Sequence, residues 1–60
     1  MKKYRIQIFY RNNSSINAYF DSRDDAIIFG AKQLYKENVK SVFLLKHLYD
    51  DKYDVEMQIQ

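Results

Sequence analysis

The side chains able to support covalent or acid–base chemistry are few and scattered. His47 is the single histidine, the serines are Ser14, Ser15, Ser22 and Ser41, and there is no cysteine. A hydroxyl nucleophile needs an oriented base within hydrogen-bond reach, and one histidine in a strand-like segment gives four separated serines little to work with. Gly30, the only glycine, falls inside a helical pattern, which excludes a glycine-rich phosphate loop. Asp50, Asp51 and Asp54 carry the oxygens that a hard cation needs, but paired Asp residues are also ordinary turn formers. A structural zinc site needs about four His or Cys ligands, whereas this chain has one His and no Cys. The expectation is therefore a protein that is not an enzyme and holds no metal or cofactor.

The elements that would position any site can be read from periodicity. Tyr4 to Arg11 alternates, with Tyr4, Ile6, Ile8 and Tyr10 on one side and Arg5, Gln7, Phe9 and Arg11 on the other. Period two with β-branched and aromatic residues predicts a half-buried strand. Asn12-Asn13-Ser14-Ser15 reads as a turn, and Ile16 to Phe20 as the returning strand. Ser22 followed by Asp24 and Asp25 marks a helix start, because a serine oxygen and two carboxylates suit the positive end of the helix dipole. The helix is expected to run to Glu37 or Asn38, with Asn38 left-handed at its close. Its core face would be Ala26, Ile27, Gly30, Ala31 and Leu34, with Gly30 allowing close approach to the sheet. Ser41 to Tyr49 reads as a third strand, Tyr49-Asp50-Asp51-Lys52 as a turn, and Tyr53 onward as a fourth strand. The resulting fold is α+β, a single domain over 1–60 in the order ββαββ. A four-stranded antiparallel sheet carries one helix on one face.

Composition bounds the class. Hydrophobic residues at 47% and charged residues at 30% describe a globular chain. The net charge of +2 is too balanced for a dedicated phosphate binder. Lys2, Lys3, Arg5 and Arg11 near the start and Asp50, Asp51, Asp54 and Glu56 near the end read as strands of one sheet that neutralise each other. The longest apolar run, Ala26 to Ala31, is far below the roughly 18 residues of a membrane span. Lys2 and Lys3 lead into an alternating strand and not into the apolar core of a signal peptide, so a cytoplasmic location is expected, without a membrane partner. Usage favours Lys, Ile, Tyr, Asn and Phe. In size and composition the chain resembles the very small proteins encoded by phages of low-GC Gram-positive bacteria, many of which inhibit a host protein. The resemblance implies an inhibitor of a host defence or replication protein, an anti-defence role being one form of this.

One helix covers one sheet face, for which Ile6, Ile8, Ile16, Ala18, Phe20, Val42, Leu44, Val55, Met57 and Ile59 are the expected core. The pleat then sends Phe9, Tyr19, Phe43, Leu45 and Tyr49 to the other face. Val42-Phe43-Leu44-Leu45 is apolar on both sides, whereas a solvated face calls for polar residues. Chains this small usually carry a staple, and with no disulfide or zinc available self-association remains. The five outer-face residues are therefore the expected homodimer surface. Ile28, Phe29, Lys32, Tyr35 and Lys36 lie outside the helix core face and are the expected contact with a partner protein. Phe29 is set among Asp25, Lys32 and Lys36, and folding back over the sheet edge is its equal alternative. The competing reading is a single-stranded nucleic-acid platform, built from Phe9, Tyr19 and Phe43 and edged by Lys3, Arg5 and Arg11.

Overall fold

The computed structural model describes residues 2–59. The alternating segments become β1 (Tyr4–Tyr10) and β2 (Ser15–Phe20), paired antiparallel without interruption from Tyr4 opposite Phe20 to Phe9 opposite Ser15. Between them Asn13 adopts φ 70°, its N–H donates to the Tyr10 carbonyl at 3.0 Å, and the Tyr10 N–H donates to the Ser14 carbonyl at 2.8 Å. This is a tight turn closed by one left-handed residue, the role that Asn fills best after Gly. The helix α1 (Arg23–Gln33) starts where expected, with the Ser22 Oγ accepting from the Asp25 N–H at 3.3 Å. Strands β3 (Val39–Tyr49) and β4 (Lys52–Gln58) complete one antiparallel sheet of order β2-β1-β3-β4. The ββαββ architecture is the one the periodicity predicts.

Three local features depart from it. The helix stops at Gln33, not at Glu37 or Asn38, and Asn38 is not left-handed. The chain leaves through short turns, with N–H groups of Leu34, Tyr35 and Lys36 bonding carbonyls three residues back. Arg11 holds this connection, its N–H on the Asn38 carbonyl at 2.8 Å and its Nε on the Glu37 carbonyl at 3.1 Å. That brings Val39 into the core two residues before the expected start of β3 at Ser41.

The second departure is the phase of the helix. Its buried residues are Ala26, Gly30 and Gln33, with Ile27, Leu34 and Phe29 packed at the edge of the core. The expected face therefore keeps Ala26, Ile27, Gly30 and Leu34 but is turned toward Gln33 and Phe29. Gln33 can be buried because its side-chain amide donates to the Phe29 carbonyl at 3.3 Å. Gly30 lies so close to the sheet that a Cβ there would stand 2.6 Å from Ile59 Cδ1 and 3.3 Å from both Ile6 Cδ1 and Val42 Cγ1. The close approach expected of this glycine is present.

The third departure is a β-bulge. Leu44 faces Met57 but Leu45 faces Val55, so Glu56 is the extra residue. Val55, expected under the helix, is thereby turned to the outer face beside Leu45. The core gathers Ile6, Ile8, Ala26, Val39, Val42 and Leu44, flanked by Tyr4, Tyr10, Phe20, Phe29 and Ile59 and by the expected helix residues Ile27 and Leu34. The charge clusters do not neutralise each other as expected, since β3 separates β1 from β4. Lys2 pairs with Asp21 and Arg23 with Glu56, each at 3.1 Å.

Candidate binding face of the sheet

The register decides which side chains share the uncovered face. Ile6 stands opposite Ala18 and Leu44, and Ile8 opposite Ile16 and Val42, all on the helix side. The alternate positions Arg5, Gln7, Phe9, Asn17, Tyr19, Phe43, Leu45 and His47 therefore point away from the helix. Past the bulge, Tyr53 opposite His47 and Val55 opposite Leu45 join them.

Aromatic rings close over this face in two groups. Phe9 and Phe43, diagonal neighbours on the two central strands, meet edge to face with centroids 5.7 Å apart. At the other end Tyr19 on β2 and Tyr53 on β4 approach to 6.0 Å. Their strands lie three spacings apart, about 14 Å, so both rings lean inward over Arg5 and Leu45. Tyr53 is anchored from several sides. Its hydroxyl donates to the Lys2 carbonyl at 2.8 Å, His47 packs at 5.2 Å, and the Arg5 guanidinium carbon sits 5.0 Å from its centroid. His47 is itself tied to the hairpin turn, with Nε2 2.6 Å from the Asp50 carbonyl oxygen.

The residues expected to mediate self-association thus divide. Phe9, Tyr19 and Phe43 do share the outer face. Leu45 shares it but is only 4% exposed beneath the rings, so it offers no contact surface and serves as a second small core. Tyr49 lies beyond the irregularity after His47, exposed at the mouth of the β3–β4 turn. On the helix, Phe29 takes the second of its two expected places, folded over the sheet edge and not exposed as a contact anchor. Its ring packs on Phe20 at 5.1 Å and against the core, because the rotated helix face carries it to the flank above β2. Ile28, Lys32, Tyr35 and Lys36 are exposed, Tyr35 at 91% in the turn that follows the helix.

Tyr53 and Val55 belong to the face without a signal that assigns them to it, whereas Arg5 is expected there only as a basic edge of the nucleic-acid platform. Arg5 had the right parity in the alternation of β1, whereas nothing local marks the bulge that turns Val55 outward. Arg5 Nε is buried without a hydrogen-bond partner, and no carboxylate among the described residues pairs with its guanidinium. Among those residues the strand register places no Asp or Glu on this face. Asp54 stands opposite Lys46 on the other parity, and Glu56 reaches to Arg23 on the helix. No three described His, Asp or Glu side chains stand close enough to hold a metal ion, and no described helix is long and apolar enough to cross a membrane. In comparisons with known proteins, no family model matches the chain, and no curated protein or solved structure matches it significantly.

Proposed function

We propose that this chain is a non-enzymatic protein-binding module that acts by occupying a surface of another protein through the outer face of its sheet. The observation that carries the reading is the composition of that face. It holds four aromatic rings with Tyr19 47% and Val55 54% exposed and, among the described residues, one guanidinium without a carboxylate partner and no Asp or Glu, where a solvated antiparallel sheet is ordinarily polar. Charge complementarity then describes the partner, whose surface sets a carboxylate over Arg5 and apolar groups against Tyr19 and Val55. Aromatic and arginine residues of this kind concentrate interface energy. The resemblance to small phage-encoded inhibitors supports a cytoplasmic host protein of defence or replication as the target, with blockage as the consequence. The helix flank keeps Ile28, Lys32, Tyr35 and Lys36 exposed but lacks Phe29 as an anchor, which makes the sheet face the better candidate.

An aromatic face with no Asp or Glu among the described residues also favours single-stranded nucleic acid as a second reading. Stacking platforms track a phosphate chain with several cations. Within the strands, the register places one cation, Arg5, on this face, and it already lies against Tyr53. The Phe9 and Phe43 rings meet edge-on instead of lying open for bases. Protein is the better fit.

The test is capture from a low-GC Gram-positive lysate with tagged wild type and three variants, each checked for unchanged thermal unfolding. Val55→Asp and Arg5→Gln are expected to lower the yield of the captured protein at least about tenfold, and Ile28→Asp to leave it intact. Loss with Ile28→Asp alone would return the contact to the helix flank. Binding of single-stranded oligonucleotide below about 1 µM at physiological salt, abolished by Phe9→Ala, would establish the second reading instead.

A further inference from the structure

The sheet has two open edges, and they differ in a way that bears on self-association. Edge strands normally protect themselves with charges, proline or bulges. β4 does so: it carries Lys52, Asp54 and Glu56 and a bulge. β2 does not. Its six residues, Ser15-Ile16-Asn17-Ala18-Tyr19-Phe20, include no charge and no proline, and its pairing with β1 has no irregularity.

The main-chain pattern shows which groups of β2 are free. The Tyr10 N–H bonds the Ser14 carbonyl, while the Lys3 carbonyl accepts from His47 in β3. In an antiparallel ladder these directions alternate, so the even residues of β1 bond β2 and the odd ones bond β3. Ile16, Ala18 and Phe20 therefore spend their N–H and C=O groups on β1. Those of Ser15, Asn17 and Tyr19 point out of the open edge. Ile16, 48% exposed, stands beside them on the helix side.

From this edge we infer that the chain forms a two-fold dimer in which β2 pairs antiparallel with β2 of a second copy, continuing the sheet to eight strands. With the axis at Ala18, Asn17 of each copy faces Tyr19 of the other as a hydrogen-bonded pair. Ile16 faces Phe20 of the second copy on the helix side, which covers the exposed Ile16 with an aromatic ring. Only the small Ala18 meets itself, and no like charges face each other. The same operation on β4 about Val55 would set Asp54 directly against Glu56, a repulsive pair. The helix flank above β2, marked by Phe29 on Phe20, also carries Asp25 and Lys32 four residues before and three after Phe29. Two-fold symmetry runs the two helices in opposite directions and turns Asp25 of one toward Lys32 of the other. The dimer leaves the outer face uncovered and joins two such faces into one surface, so it stands independently of the protein-binding reading.

Sedimentation equilibrium across a concentration series tests it, together with amide hydrogen exchange. Wild type is expected to approach twice 7.3 kDa, with the Asn17 and Tyr19 amides protected in parallel with dimer formation. Asn17→Pro deletes an outward N–H that the monomer fold does not use, as edge positions tolerate. It is expected to raise the dimer Kd at least about tenfold with an unchanged far-ultraviolet spectrum. Should that variant unfold, Asn17→Lys, which keeps the N–H and adds an edge charge, is expected to weaken the dimer by the same order. A wild-type monomer throughout would overturn the inference. So would a dimer whose Asn17 and Tyr19 amides exchange freely, or one that both folded variants leave intact.

Discussion

Phe29 shows how a single side chain changes meaning between a helical wheel and a packed helix. On the expected phase it stood among Asp25, Lys32 and Lys36, where an aromatic has no packing reason to be. Burial of Gln33, with its amide satisfied by the Phe29 carbonyl, turns the helix so that the Phe29 ring lands on Phe20. A glutamine in a core face has no signal in a pattern that sorts residues as polar or apolar, and so the phase was not legible. The consequence is measurable. Phe29→Ala is expected to cost about 2 kcal/mol, below the loss for a fully buried ring because Phe29 keeps some exposure. For a 60-residue domain this lowers Tm by at least about 8 °C. An unchanged Tm would mean that the ring is free and available to a partner after all.

At the scale of elements, regularity separates what could be read from what could not. β1 and β2 alternate without a break, and their existence and faces follow from sequence, while the turn is one residue shorter than its composition suggests because Ser15 pairs with Phe9. β4 alternates just as cleanly, yet the bulge at Glu56 reverses the parity of Val55 and Tyr53 relative to Met57. No glycine marks the bulge, so Val55 passed for a core residue. The helix end was hidden for a related reason. With no Gly or Pro after it, the end is set by the three-residue turns from Leu34 to Lys36 and by the tertiary bonds from Arg11 to Glu37 and Asn38, which leave no local sequence signal. The first hairpin provides the element-level prediction. Asn13 at φ 70° occupies the conformation that Gly accepts freely and β-branched residues resist. Asn13→Gly is expected to hold or slightly raise stability, and Asn13→Val to lower it by about 1–2 kcal/mol, read by thermal unfolding. Equal stability of the two variants would show that the turn does not impose a left-handed residue.

For the whole molecule, one short helix on a four-stranded sheet leaves most of the functional argument to the surface it does not cover. The apolar excess on that side was legible from Val42-Phe43-Leu44-Leu45, which no choice of parity renders amphipathic. Its organisation was not, since Tyr19 and Tyr53 meet across two intervening strands and seal Leu45 beneath them. What remains accessible is a rim of Tyr19 and Val55 around that sealed centre, with Arg5 half-buried beside it, and another protein is proposed to bind there. The most direct measurement is site-specific photo-crosslinking in the producing cell, with benzoylphenylalanine placed at Val55 on the outer face or at Ile28 on the helix. The account predicts a discrete adduct with a second protein from position 55 and none from position 28. An adduct from position 28 alone, or adducts from position 55 only with nucleic acid, would contradict it.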